Sequence, residues 1–278
     1  MLVTQHVSPA DVISRTKNSP NNDDWNDDWK ESLSFVNAKS LGHGGSGTVF
    51  EIDAERVIKV FADDEEGQMD LSREKEIFDK LQFGGGSAQV VKCMEQYGSG
   101  LVLERHIMTL RQRLKMLESS SKHPFALQWA QQSCEGLSFL HENGVYHADV
   151  GCQNILLDDE GNAKICDFAG SKIFFPIEKD AWISYETRSQ HPKFSGQQPT
   201  VLTEIFAFGS VLFEIWTSRP PYVDQQTPEV RKKFIAGDFP LAEVKDVKMR
   251  KIIGKCWKGD YNVVSEILAE LKSLGRNC

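Results

Sequence analysis

The sequence predicts an α+β protein in two parts, a small antiparallel sheet with one main helix followed by a larger helical region. Three observations predict it. Short strand-like runs alternate with turn residues between Leu33 and Phe61. One helical pattern follows, and then two more strand-like runs between Val90 and Leu103. Beyond about Leu110 the apolar residues recur at helical spacing, above all over Phe125–Leu140 and Thr203–Trp216.

Residues 1–32 are rich in Asn, Asp, Ser and Thr and have no sustained period, which reads as a flexible acidic tail. Trp25 and Trp29, four apart, either dock as a short helix or belong to a solvated segment. The first strands fall at Leu33–Val36, Thr48–Ile52 and Val57–Phe61. The run Asp63-Asp64-Glu65-Glu66 reads as a solvated loop before a helix from Asp70 to Leu81. The ordered part spans 33–275, divided into a sheet-based lobe, 33–104, and a helical lobe, 105–275. Trp129, Cys134 and Leu137 share one face of Phe125–Leu140, which reads as core packing.

Composition narrows the function classes. The 278 residues are 40% hydrophobic and 26% charged, ordinary for a globular chain with a buried core. The net charge is −8, and two acidic patches, 23–31 and 63–66, account for all of it. Nucleic acid is therefore not expected as a partner. The longest apolar run, Ile205–Val211, is too short to span a bilayer, and no secretory leader is visible, so no membrane partner is expected. Six scattered cysteines without a CxxC pair fit reduced thiols in the cytoplasm.

Three groups of residues carry chemistry. Gly42-His43-Gly44-Gly45-Ser46-Gly47 precedes the β-like run Thr48–Ile52, so the glycines join two strands rather than open a helix. Such a hairpin either lets backbone N–H groups approach phosphates or is a structural turn. Lys59 lies in the apolar run Val57–Phe61, where an outward, solvated lysine is the simple reading. Glu74, however, sits on the buried stripe of the next helix with Leu71, Ile77, Phe78 and Leu81. An inward carboxylate needs a partner, and Lys59 is the natural one. Asp149, Asn154 and Asp167 lie on short loops between apolar triplets, and hard oxygen ligands there suit Mg2+.

These motifs, in this order, resemble the protein kinase superfamily from about Phe35 to Leu274. The matched pattern is the glycine loop, a V-x-K strand, the helix Glu, H-x-D-x-x-x-x-N at 147–154 and a D-F-x-G-like stretch at 167–170. The resemblance implies a bilobal kinase fold and a set of roles. Gly42, Gly44 and Gly47 would cover the phosphates of ATP, and Lys59 would hold them while pairing with Glu74. Asp149 would orient the acceptor hydroxyl, and Asn154 and Asp167 would hold Mg2+. Val49, Val57 and Leu156 would sandwich adenine, with Leu103 as gatekeeper before a hinge at Glu104–His106. His147, Phe168 and Phe78 would stack. The function implied is transfer of the γ-phosphoryl group to a serine or threonine hydroxyl of a protein substrate, by a monomer or in transient complexes.

The chain departs from the family at informative places. Ala148 stands where many members have Arg, so activation through a phosphorylated loop is not expected. Gly151 stands where serine/threonine members commonly place a Lys, which predicts weak turnover. Ala169 replaces a glycine, and Glu204 an Asp. Glu186 normally pairs with a downstream Arg, and the stretch 256–266 holds none. Gly151, Ala169 and the unsupported Glu186 motivate an alternative, a pseudokinase acting as a nucleotide-binding scaffold or regulatory module. An atypical or small-molecule phosphotransferase is a third reading. Cys152 and Cys166 read as inert small hydrophobes.

Overall fold

The computed structural model describes residues 39–117, 124–174, 185–193 and 198–275. The acidic tail, Trp25 and Trp29, and the expected strand Leu33–Val36 lie outside the described residues. The chain divides into two compact units, the first of residues up to 78 with 92–105, the second of 79–91 with the residues from 106 onward. The α+β class and the sheet-then-helix order are as the sequence predicts.

In the first unit, strands β1 (Ser40–Gly44), β2 (Gly47–Glu51), β3 (Arg56–Val60), β4 (Cys93–Tyr97) and β5 (Gly100–Glu104) form one sheet, ordered β1-β2-β3-β5-β4. Every pairing is antiparallel. Register decides which side chains share a face, because successive residues of a strand alternate. Phe50, Ile58 and Val102 stand opposite one another, and Ile58 and Val102 form a buried cluster flanked by Ile52, Val60 and Tyr97. Val49, Lys59 and Leu101 also stand opposite one another. With Val57 and Leu103 they occupy the other face.

Helix α1 covers Glu65–Phe83, five residues earlier than the pattern from Asp70 predicts. The acidic run is the helix start rather than a loop. Asp64 Oδ1 accepts from the Gly67 N–H at 2.8 Å, and Glu65 and Glu66 occupy the first turn, where negative charge complements the helix dipole. Apolar periodicity misses this turn because it contains no apolar residue.

In the second unit, β6 (Met108–Thr109) leads into α2 (Leu110–Lys115) through a capping box of Thr109 and Gln112. Helix α3 (Ala126–Glu142) is followed by β7 (Val145–Tyr146), β8 (Ile155–Leu157), β9 (Ala163–Ile165) and β10 (Lys172–Ile173). These strands make two small antiparallel sheets, β6-β8-β9 and β10-β7. Helices α4 (Val201–Thr217), α5 (Thr227–Ile235), α6 (Val247–Lys258) and α7 (Val264–Gly275) complete the unit. Residues 203–215 of α4 are all buried, and α4 packs against α6 while α3 packs against α7. The centre is aromatic, with Phe206, Phe213, Phe234, Phe239 and Trp257 in ring contact. Among the described residues, no helix is long and apolar enough to cross a membrane.

Candidate active site

The first unit gathers one set of the candidate residues. The β1–β2 hairpin closes on Gly44 opposite Gly47, with Gly45 and Ser46 at the turn. Gly47 has no alternative, because a Cβ there would collide with the Val60 carbonyl oxygen of the neighbouring strand. Gly42 and Gly44 sit in β1; a Cβ at Gly42 would meet open space, and one at Gly44 only the Gly47 carbonyl oxygen at 3.9 Å. Lys59 Nζ lies 2.6 Å from Glu74 Oε2, with side-chain exposures of 7% and 0%. The lysine is inward, and the reading of it as a solvated residue is excluded. Val49 and Val57 share its face of the sheet. Glu104 ends β5, where its carboxylate accepts from the Lys92 N–H at 2.8 Å and its own N–H donates to Lys92 O.

The second unit gathers the other set. The loop 147–154 hangs from one buried carboxylate. Glu204, on α4, accepts from the backbone N–H groups of His147 at 2.9 Å and Ala148 at 3.1 Å. The Tyr185 hydroxyl donates to Glu204 as well, and His141 Nε2 lies 3.5 Å away. The extra methylene of Glu relative to Asp therefore does not cost these bonds. Burial alone would raise the Glu204 carboxyl pKa, but His141, His147 and Tyr185 together hold it below its ordinary value. Ala148 has a left-handed backbone, φ 63°, which the two bonds to Glu204 help to hold.

Asn154 fixes Asp149. Its Nδ2 donates to Asp149 Oδ2 at 2.8 Å and to the Asp149 carbonyl at 2.9 Å. Burial pushes the Asp149 carboxyl above its ordinary value, aided by the nearby charges of Asp167 and Glu186 and opposed by His147 and the Asn154 bond. The Cys166 N–H donates to Asn154 O at 3.0 Å, which ties the Asp167 loop to Asn154. Asp167 is left-handed as well, with φ 66°. His147 Nε2 is 3.0 Å from Cys166 O, and its ring lies 5.5 Å from that of fully buried Phe168. Phe78, the expected third member of that stack, is a buried residue of the first unit. Leu156 is half-buried in β8, and His106 opens the second unit's main segment.

Sequence reasoning missed three residues. The first supplies what the stretch 256–266 lacks. Arg111, on α2, donates through Nη1 to Glu186 Oε1 at 2.7 Å. Its Nε and Nη2 grip both oxygens of Glu214 at 2.8 and 2.9 Å. The expectation that Glu186 lacks an arginine is thereby corrected: the arginine comes from upstream, 75 residues away. The capping-box spacing of Thr109 and Gln112 signals the helix that carries Arg111, but nothing local signals its target. The second is Tyr185, and the third is Gln153, whose Nε2 lies 3.5 Å from Asp149 Oδ1. Cys152 is buried, and burial pushes its thiol well above the ordinary value, as expected of an inert cysteine.

The donor set fits a hard cation. With the Asn154 amide nitrogen committed to Asp149, the side-chain oxygen of Asn154 and the Asp167 carboxylate are the hard oxygen donors these two loops offer a metal. Mg2+ characteristically takes one or two such oxygens and completes its shell with phosphate and water.

A family model described as "Protein kinase domain" matches residues 35–278. Among known proteins, the chain is 28% identical to CBL-interacting serine/threonine-protein kinase 21 of Arabidopsis thaliana, over 56% of this chain and 35% of that protein. It is 23% identical to CBL-interacting protein kinase 21 of Oryza sativa subsp. japonica, over 73% and 39% of the two chains. It is 31% identical to the probable serine/threonine-protein kinase WNK4 of Arabidopsis thaliana, over 46% and 24%. The chain thus spans well under half the length of these relatives.

Proposed function

The chain belongs to the protein kinase domain family, and from that premise we propose that it is an ATP- and Mg2+-dependent kinase acting on serine or threonine hydroxyls of proteins. The buried Lys59–Glu74 ion pair carries this reading. A buried charge pair contributes little to stability compared with apolar residues of similar volume, so its presence on an otherwise apolar strand favours a functional role.

Each residue has a task set by its chemistry. Lys59, held in place by Glu74, is the cation for the α- and β-phosphates. The N–H groups of the Gly42–Gly47 hairpin can approach those phosphates without obstruction. Asn154 and Asp167 hold the metal, which when bound neutralises charge developing on the phosphates. Asp149, oriented by Asn154, takes the hydroxyl proton as the acceptor oxygen attacks. Val49 and Val57, on the Lys59 face of the sheet, contribute apolar surface for adenine.

The pseudokinase reading is favoured by one observation, the missing cation at Gly151. Two measurements separate the readings: transfer of label from γ-labelled ATP to the protein itself or to casein, and the thermal shift given by Mg-ATP. Transfer that disappears in Lys59→Met and Asp149→Asn supports the kinase. A thermal shift without transfer supports the scaffold.

A further inference from the structure

Arg105 closes the first unit, one residue beyond β5, and its guanidinium reaches the β2–β3 turn. Nη1 donates to the Asp53 carbonyl at 2.8 Å and lies 3.2 Å from Glu51 Oε1. The Arg105 N–H donates to Glu55 O at 2.8 Å. The turn it grips is itself fixed. Asp53 Oδ1 accepts from the N–H groups of Glu55 and Arg56, and Oδ2 accepts from Arg56 Nε at 2.8 Å and Nη2 at 2.6 Å. Pairing between β3 and β5 ends at Arg56 opposite Glu104, so Arg105 adds a fastening just past the last ladder position. Stability does not account for it, because the Arg105 and Glu51 side chains are 27% and 28% exposed and ion pairs so close to solvent contribute little. What the fastening does fix is the spacing of three strands. Val49 of β2, Val57 of β3 and Leu103 of β5 share one face of the sheet, close to this turn.

We propose that Arg105 is a positioning residue for the base of the nucleotide. By bridging Asp53 O and Glu51, it holds the β2–β3 turn against the end of β5 and keeps Val49, Val57 and Leu103 at the spacing that receives a flat purine. The phosphates are outside its influence, since the Gly42–Gly47 hairpin and Lys59 lie toward the opposite end of β2 and β3. The inference rests on the kinase reading for the identity of the ligand, but the clamp itself does not.

The test uses Arg105→Met, Glu51→Leu and the double variant in the full chain, with adenosine and Mg-tripolyphosphate as separate probes in calorimetry. Arg105→Met raises the adenosine dissociation constant roughly threefold to tenfold, as a base site competent for only part of the time would, and leaves Mg-tripolyphosphate binding unchanged. Glu51→Leu weakens adenosine in the same direction, and the double variant loses no more than Arg105→Met alone. Equal losses for the two probes, losses that multiply, or unchanged adenosine affinity in Arg105→Met would each overturn the proposal. Hydrogen exchange reads the clamp without any ligand. The amides of residues 52, 53 and 105, all bonded at this turn, exchange faster in Arg105→Met, and unchanged exchange overturns the proposal. A wild type that binds neither adenosine nor Mg-ATP refutes the kinase reading and this role together. A wild type that binds both, with Arg105→Met unaffected, overturns the role of Arg105 alone.

Discussion

Replacing Arg111 by Met keeps most of the aliphatic stem and removes the guanidinium that joins Glu186 to Glu214. The two carboxylates lose different amounts. Glu214 is 5% exposed and would be left as a buried charge without its bidentate partner. Breaking a buried pair in this way costs about 3–5 kcal/mol. Glu186 is 44% exposed, and its bond adds at most about 1 kcal/mol. Arg111→Met therefore destabilises the chain by about 4 kcal/mol, on the order of 8–16 °C in Tm for a domain of this size. Urea unfolding followed by tryptophan fluorescence measures it as a lower midpoint at constant slope. The double variant Arg111→Met/Glu214→Met replaces the pair by apolar groups and returns to within about 1 kcal/mol of wild type. A double-mutant cycle gives a larger coupling for 111 with 214 than for 111 with 186. An Arg111→Met protein within about 1 kcal/mol of wild type, or the opposite order of couplings, would refute the reasoning.

Asp149→Asn lowers phosphoryl transfer by roughly 10²–10⁴-fold, the usual worth of a general base, while the Mg-ATP dissociation constant measured by calorimetry changes little. Mg-ATP at a hundred times its dissociation constant stabilises the wild type by about 2.7 kcal/mol, visible as a rise in Tm, and Lys59→Met reduces that rise. Tyr185→Phe leaves buried Glu204 one donor short and lowers stability by about 1–3 kcal/mol in the same urea assay. Because the folded-state pKa of Glu204 is depressed, its contribution is fully present above its ordinary value of 4.5 and is lost as the pH falls through the folded value. Glu204→Gln flattens that acid limb of the stability curve measured between pH 3 and pH 6.

What the sequence carries and what it conceals follow from the range of the interactions. Lys59 with Glu74 is readable because each is anomalous in its own pattern, a lysine in an apolar strand and a carboxylate on an apolar stripe. The β1–β2 hairpin is readable because its glycines meet a β-branched run rather than a helix. The first turn of α1 is hidden because its determinants are polar, a cap at Asp64 and acids against the helix dipole. Arg111 is hidden for a different reason. Its neighbours mark it as one position on a short helix, and its partners lie 75 and 103 residues away. Gln153 folds over the bare Gly151, where a Cβ would collide with its carboxamide, and a glycine in sequence does not reveal what lies over it.

Helix α4 holds two buried carboxylates, Glu204 and Glu214, ten residues apart and so about 15 Å along the axis. Consecutive residues outside the helix answer both of them, Tyr185 directly and Glu186 through Arg111. A local opening of 185–186 would strip a donor from one buried charge and loosen the arginine that neutralises the other. Such openings are normally the least costly fluctuations of a protein, and here they are coupled to its most buried helix. The backbone amides of 185 and 186 should consequently exchange with solvent together with those of α4, so that this connection shares the opening energy of the core.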